Sequence, residues 1–392
     1  MSRLAALHTI EDLRLAAARR LPRAVFDALD GAAGDEAAAR RNLEDLGRTS
    51  LVPRVLTDVS TVETTAAVLG RTIDLPLMLA PVGFSGLFHP DGERAVAAAA
   101  AGTIHVLSAF SSLTLEEVAA ASPGRRWFQV YAFRRDILRD LIARARRAGY
   151  EALCITVDTP IVAARHRDLR GGLRASGVSA RFVLSAAAHP RWSLPFLFGY
   201  RPRLRTLEPY LPEKAHSWLP LRAPDFDPAF GWKDLEWAIA EWNGPAVVKG
   251  ILHADDAERA FAAGAAAVVV SNHGGRQFES APSTISVLPS IRERLGEGRE
   301  IYADGGVRTG SDVLKFLAAG ANAVLCGRAF AYGLGAGGQA GVERALAILR
   351  KELEMAMRLA GISRLSRTEL SRLALTLAPV APAAPAGVSR PC

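Results

Sequence analysis

The segment Ser271-Asn272-His273-Gly274-Gly275-Arg276 sets a histidine, able to exchange a proton near neutral pH, just ahead of an arginine, whose planar guanidinium suits a carboxylate. It leaves an apolar run, AVVVS (Ala267–Ser271), and other apolar runs end in a comparable way. WFQVY (Trp127–Tyr131) ends with Gln129 and Tyr131, LCITVD (Leu153–Asp158) carries Thr156 and Asp158, AVVK ends at Lys249 and IYAD at Asp304. Residues two apart on a strand share a side, which pairs Gln129 with Tyr131 and Thr156 with Asp158. Singly, each has an ordinary explanation: a structural histidine, a surface arginine, a solvated lysine, an aspartate capping a turn. Jointly, at the same end of successive strands, they favour a site.

Two further loops could hold a phosphate. Ala303-Asp304-Gly305-Gly306-Val307-Arg308 and Cys326-Gly327-Arg328 follow the last two apolar runs. Glycine lets backbone N–H groups approach an anion, and the arginines add charge-assisted bonds. Ordinary tight turns are the alternative. No GxGxxG segment opens a strand–helix unit, which argues against a dinucleotide-binding domain.

These residues need a frame. From about residue 76 short apolar runs alternate with amphipathic segments, the pattern of successive βα units. The expected strands are Pro76–Pro81, Ile104–Ser108, Trp127–Tyr131, Leu153–Asp158, Ala246–Lys249, Ala267–Ser271, Ile301–Asp304 and Ala323–Cys326. Between them the spacing predicts helices over Glu93–Ala101, Leu115–Ala121, Asp136–Ala148, Lys233–Trp242, Asp255–Ala263, Ser283–Leu295 and Ser311–Ala319. Ser283 and Thr309 are N-cap signals, and Gly102, Gly149, Gly264 and Gly320 are stops. Eight such units make an α/β fold, a (β/α)8 TIM barrel, with chemistry at the C-terminal ends of the strands. It is expected as a single domain over residues 1–377, with a helical lead-in (1–70) and a Pro- and Arg-rich insertion in the fourth unit (169–231). A low-complexity tail (378–392) is expected to be disordered.

A chain of 392 residues, 49% hydrophobic, can bury one large core. It has neither an apolar run of spanning length nor a leader-like N-terminus, so a cytoplasmic location is expected. Cys154, Cys326 and Cys392 lack metal-like spacing; buried thiols are expected, with no metal site. The net charge of +8 is concentrated: between Leu169 and Leu207 there is no acidic residue, while Arg170, Arg174, Arg181, Arg191, Arg201, Arg203 and Arg205 alternate with aromatic residues. A solvated insertion is the first reading and peripheral membrane contact through 169–207 the second. Nucleic acid comes last, because no recognition module accompanies the stretch.

The motifs together resemble the FMN-dependent 2-hydroxy acid dehydrogenases and oxidases over roughly residues 10–365, most specifically in SNHGGRQ (Ser271–Gln277), supported by ITVDTP, WFQVY, VVKGI and ADGGVR. The resemblance implies FMN as cofactor and oxidation of an (S)-2-hydroxy acid to the 2-oxo acid. Pro81, Val82, Gly83, Ser108, Gln129 and Thr156 match contacts to the flavin ring and ribityl chain. Lys249 resembles the lysine near flavin N1 and O2, and Ser271 another cofactor contact. Asp304, Gly305, Gly306, Val307, Arg308, Gly327 and Arg328 match the holders of the ribityl chain and phosphate. His273 is similar to the family's proton acceptor, with Asp158 stabilising the resulting imidazolium. Arg165 and Arg276 match the substrate-carboxylate clamp and Tyr131 the tyrosine that hydrogen-bonds the substrate.

Two places depart from the family's pattern. Ala28 stands where a second tyrosine usually reaches the substrate carboxylate, which removes a hydrogen bond and opens space for a bulkier substrate. Gln277-Phe278-Glu279 replaces the common Gln-Leu-Asp. Gly83 matches the dehydrogenases rather than the oxidases, which points to an acceptor other than O2, a quinone or soluble carrier. The basic insertion resembles the membrane-docking region of some members, and a homotetramer is implied by analogy. Use of O2, or oxidation of a larger hydroxy- or amino-acyl intermediate, stays open. An isopentenyl diphosphate-type isomerase lacks use for a carboxylate clamp. A non-catalytic flavin-binding role is disfavoured by the retained His273, Arg276, Arg165, Tyr131 and Lys249.

Overall fold

The computed structural model describes residues 4–122, 124–171, 173–174, 177–211 and 226–377; the expected tail from 378 and part of the insertion lie outside them. The barrel strands are β1 (Leu77–Leu79), β2 (Ile104–Ser108), β3 (Arg125–Tyr131), β4 (Ala152–Thr156), β5 (Ala246–Ile251), β6 (Ala267–Val270), β7 (Glu300–Ala303) and β8 (Ala323–Cys326). Each pairs in parallel with the next, and β8 closes on β1, giving the expected (β/α)8 barrel. The first strand is shorter than Pro76–Pro81 because neither proline has an N–H to give to the ladder. Asp158, Ser271 and Asp304 fall just beyond β4, β6 and β7, on the turns that leave them.

Strand alternation explains where the polar residues go. Met78, Val106, Trp127, Cys154, Val247, Val269, Tyr302 and Leu325 form one buried cluster inside the barrel. Residues between them, such as Phe128, Leu153, Val248 and Ile301, belong to the outer core beneath the helices. One step of two further along, the inward position turns polar: Gln129 after Trp127, Thr156 after Cys154, Lys249 after Val247, Asp304 after Tyr302. The barrel is therefore apolar below and carries a polar floor at its C-terminal end. An antiparallel hairpin, Ala66–Val68 with Arg71–Ile73, caps the opposite end and contributes Val68 and Ile73 to the inner cluster.

All seven expected helices form, with ends shifted by at most two residues. Thr309 caps through its side chain, accepting from the Asp312 N–H at 3.1 Å. Ser283 occupies its N-cap position but donates its hydroxyl to Asp45 instead. An eighth helix, Arg328–Ala360, was hidden by the glycine-rich stretch at its kink, Gly337–Gly338. The lead-in is only partly helical, in contrast to the expectation. After α1 (Ile10–Arg20), α2 (Arg23–Asp30) and α3 (Ala37–Arg48), residues Thr49–Val52 form a strand antiparallel to Ala374–Leu377. Pro53 and the β-branched Thr49 and Val52 suit an extended edge, and the partner lies too far away in sequence to be seen by local pattern.

Within the insertion, helices Ala180–Ala187 and Pro190–Leu197 pack against the barrel rather than standing free. The Trp192 indole N–H donates to Leu87 O at 2.8 Å, and the Tyr200 hydroxyl donates to Gly86 O at 3.0 Å. Both acceptors lie in the loop after β1.

That loop has a second tether. Glu93, 1% exposed on the helix Gly92–Ala99, accepts from the Ser85 N–H at 3.0 Å and, from the loop after β2, the Ser112 N–H at 2.9 Å. Its other oxygen is buried without a partner, and burial pushes the carboxyl up to about 7. A carboxyl with a higher pKa folded than unfolded loses stability as pH rises from about 4.5, with the loss complete above about 7. Glutamine keeps the acceptor oxygen and carries no charge. Glu93→Gln should therefore raise the urea midpoint at pH 8, with the difference vanishing at pH 5; lower stability at both pH values would contradict this account.

Candidate active site

The turn after β6 is built around backbone that few residues tolerate. His273 has φ 59°, and Gly274 and Gly275 follow at 63° and 75°, three left-handed residues in a row. A side chain at Gly275 would meet the Ala39 backbone nitrogen at 2.4 Å, so α3 can approach only a glycine there. The turn is held from below and from outside. Ser271 Oγ accepts the His273 N–H at 3.0 Å and an Nζ–H of Lys249 at 2.8 Å. On the outside, Asn272 and Asn42 of α3 exchange two buried amide bonds of 2.9 and 2.8 Å, and Asn272 also accepts the Gly275 N–H.

His273 Nδ1 lies 2.9 Å from Asp158 Oδ1 and 3.2 Å from Oδ2, which leaves Nε2 unengaged by Asp158. Burial lowers the imidazole pKa, with Asp158 pulling the other way. Burial would raise Asp158, but His273 and Lys249 hold it below the ordinary carboxylate value. The pair is thus a neutral imidazole backed by an anion, ready to accept a proton. Tyr131 stacks beside it, with ring centroids 6.2 Å apart, and burial pushes its phenol up to about 12, so it remains a donor.

His273 and Tyr131 open on one cavity of about 370 Å³, while Asp158 is not part of its lining. Of the residues singled out from the sequence, His273, Tyr131, Arg165, Arg276, Lys249, Pro81, Val82, Gly83, the segment Asp304–Arg308, Gly327 and Arg328 line it. Ser108, Gln129 and Thr156 do not; they form a buried chain under its floor, Ser108 to Gln129 at 3.1 Å and Gln129 to Thr156 at 2.9 Å. Ser271 is likewise buried, beneath His273.

Two arginines share one carbonyl. Arg276 Nη1 and Arg328 Nη2 donate to Gly31 O, just past α2, at 2.7 and 2.8 Å, and Arg328 Nη1 donates to Gly274 O at 2.8 Å. Ala28, at the position where the family usually has a second tyrosine, lies on α2 and lines the cavity. Apolar side chains make up much of the same lining, among them Leu29, Leu87, Phe88, Phe110, Leu204 and Phe226. Gly83 is crowded, since a Cβ there would meet Phe110 Cβ at 2.9 Å.

The altered Gln277-Phe278-Glu279 stretch braces rather than reacts. Gln277 donates to the Asp158 and Ile161 carbonyls, and Glu279 accepts the Asp35 N–H at 3.1 Å. Phe278 is exposed. Sequence reasoning passed over Asp168, Gly31 and Asn42. Asp168 stands one helical turn after Arg165, the only local signal; Gly31 and Asn42 have none, because their partners are remote in sequence.

The cavity fits a flavin mononucleotide. Gly305 and Gly306 have φ of 104° and 92°, and a Cβ on either would strike Thr284 or Leu46 within 2.8 Å. The helix Arg328–Ala360 starts beside them without a side-chain cap, offering free N–H groups to an anion. Asp304 Oδ1 and Arg328 Nε are buried with no partner in the protein. Lys249, 3% exposed in the floor, supplies a fixed positive charge 3.2 Å from Asp304, which with Asp158 raises its pKa against burial. Among the described residues no cluster of side chains suits a metal ion.

Comparison with known proteins agrees with this geometry. The chain is 44% identical over 360 residues to an L-lactate dehydrogenase of Caulobacter vibrioides (strain NA1000 / CB15N), covering 90% of this chain and 93% of that one. An L-lactate dehydrogenase of Xanthomonas campestris pv. campestris (strain 8004) is 42% identical over 371 residues, 92% and 96% of the two chains. Among solved structures, the monotopic membrane protein (S)-mandelate dehydrogenase superposes with a TM-score of 0.88 at 36% identity, over 92% of this chain and 97% of that one. A mandelate oxidase bound to 3,3-difluoro-2-hydroxy-3-phenylpropionic acid gives 0.78 at 39% identity, over 94% and 99%. The model of the FMN-dependent dehydrogenase family matches residues 17–375, and the chain belongs to that family, with FMN as its cofactor.

Proposed function

We propose that this protein oxidises an (S)-2-hydroxy acid with a bulky apolar side chain to the 2-oxo acid and passes the electrons to an acceptor other than O2. The observation that carries the reading is that His273, backed by Asp158, lines the same cavity as Arg165 and Arg276. When bound, FMN supplies the two-electron acceptor. Lys249, Ser271, Asp304–Arg308, Gly327 and Arg328 would hold it, with Pro81, Val82 and Gly83 along the adjoining wall and Ser108, Gln129 and Thr156 in the floor.

Arg165 and Arg276 bind the substrate carboxylate, and the Tyr131 hydroxyl donates to the substrate. His273 takes a proton at Nε2, and Asp158 stabilises the imidazolium that forms. The apolar wall beside Ala28 receives the side chain; relatives of known structure include a mandelate dehydrogenase and a mandelate oxidase, whose names point to an aryl acid. Crowding at Gly83, where alanine would press on Phe110, supports an acceptor other than O2.

The test is anaerobic bleaching of bound FMN by 2-hydroxy acids of graded size. Aryl and branched acids should reduce it faster than lactate, and Ala28→Tyr should narrow the gap. His273→Ala should slow reduction by about 100-fold or more, the span of a lost general base. Because burial lowers the His273 pKa, the wild-type rate at saturating substrate should be flat from pH 7 to 8 and fall only in acid. A His273→Ala enzyme reducing FMN at the wild-type rate would sink the assignment.

A membrane-facing role for the insertion has its own support. Val183, Leu184, Leu197 and Phe198 are more than half exposed, beside the exposed Arg181, Arg191 and Arg201. Apolar side chains rimmed by arginine suit the interface of an anionic bilayer. Among the described residues no helix is long and apolar enough to cross a membrane. Co-sedimentation with phosphatidylglycerol vesicles at low salt should be strong, and Leu197→Glu with Phe198→Glu should abolish it. Absence of wild-type binding at low salt would remove the reading.

A further inference from the structure

Asp168 faces the arginines of the site without a hydrogen bond to them. It lines the cavity from the short helix His166–Gly171, and its nearest cationic atom, Arg165 Nη1, is 3.7 Å from Oδ2. Asp168 Oδ1 and Arg165 Nε are both buried and without a hydrogen-bond partner. The two groups form a loose ion pair without a hydrogen bond, each with an unused atom. The charges around Asp168 are Arg165 and Arg167 of its own segment, Asp27 of α2, and Arg276 of the turn after β6. Arg167 is committed elsewhere, to Asp27 at 2.9 Å and Asp30 at 2.8 Å. Burial raises the Asp168 carboxyl pKa, Arg276 and Arg165 counter it, and Asp27 adds to the rise.

We propose that Asp168 is a proton-linked counter-ion of the substrate site: it balances Arg165 and Arg276 when the site is free and takes up a proton when a ligand carboxylate binds them. The proposal rests on the carboxylate-clamp reading above. Two carboxylates facing one pair of guanidiniums repel, and the system lowers its energy by binding one proton from solvent. Asp168 is the carboxylate poised to receive it, because its Oδ1 has no donor to lose. His273 and Asp304 are other groups of the cavity that could gain a proton; the first is engaged with Asp158 and the second is ion-paired with Lys249 at 3.2 Å.

The sign is fixed by linkage. If the complex binds more protons than the free enzyme, carboxylate affinity falls as pH rises above the free-state pKa of Asp168, which lies above 3.8. The probe is phenylacetate, an aryl carboxylate without the hydroxyl, titrated into FMN-loaded enzyme between pH 5.5 and 8.5 and followed by the flavin spectrum. Calorimetry in buffers of different ionisation heat counts the protons taken up. The wild-type Kd should rise with pH, by up to about tenfold per unit, with net proton uptake. Asp168→Asn should bind about tenfold or more tightly at pH 8, with the slope and the uptake both lost; Asp168→Ser serves if asparagine is not tolerated. Zero uptake in the wild type overturns the proposal, as does uptake that persists unchanged in the variants, which would assign the proton to His273 or Asp304. Failure of the wild type to bind phenylacetate at any pH overturns the arginine clamp itself, and this proposal with it.

Discussion

Lys249 places an ammonium group where water scarcely reaches, and an unpaired charge at that depth would cost several kcal/mol. The barrel must therefore bring partners to it. Ser271 Oγ at the end of β6 and Asp304 after β7 do so, at 2.8 and 3.2 Å. The same Ser271 oxygen accepts the His273 N–H, so the bond that satisfies the buried cation also fixes the start of the left-handed turn. Charge compensation in the floor and orientation of the imidazole are one arrangement. A change that displaced the lysine would leave Asp304 short of its cation and Ser271 without a donor.

The barrel supplies the floor, but the wall comes from elements outside it. Gly31 O, just past α2, receives both Arg276 and Arg328, one on the substrate side of the cavity and one on the phosphate side. A helix C-terminus presents partial negative charge, which suits two guanidiniums that would otherwise repel. Asp30, on the same helix, is bound by Arg14, Arg167 and Tyr332 and is held well below the usual carboxylate range despite burial. These bonds tie α2 to α1, to the segment carrying Arg165 and to the final long helix. The position of Ala28, and so the width of the substrate space, follows from that web.

Local pattern made much of this legible. Two-residue alternation within β3 to β7 was enough to put Tyr131, Thr156, Lys249, Ser271 and Asp304 at one end, because an inward-facing polar residue is affordable only where the barrel opens. The SNHGGR segment pointed to His273 as the proposed base, and its glycines to the turn. What stayed hidden depends on pairs distant in the chain. Asn42 reads as an ordinary helix residue until Asn272 is beside it, and Thr49–Val52 reads as part of a helical lead-in until Ala374–Leu377 supplies a ladder. Asp168 is marked in the sequence only by its spacing from Arg165; that the ion pair is loose, at 3.7 Å, and leaves one buried oxygen without a hydrogen bond is visible only in the fold.

The ladder between Thr49–Val52 and Ala374–Leu377 bears on how the molecule is made. The strand at 49–52 continues directly from α3, the helix whose Asn42 and Ala39 buttress the His273 turn. On the ribosome, the residues that clasp that turn emerge early, while the strand that anchors them emerges only after all eight barrel strands. The nascent chain can close its barrel before its reactive turn is locked. A chain ending before Ala374 would carry His273, Asp158, Arg165 and Arg276 yet lack the partner strand of Thr49–Val52.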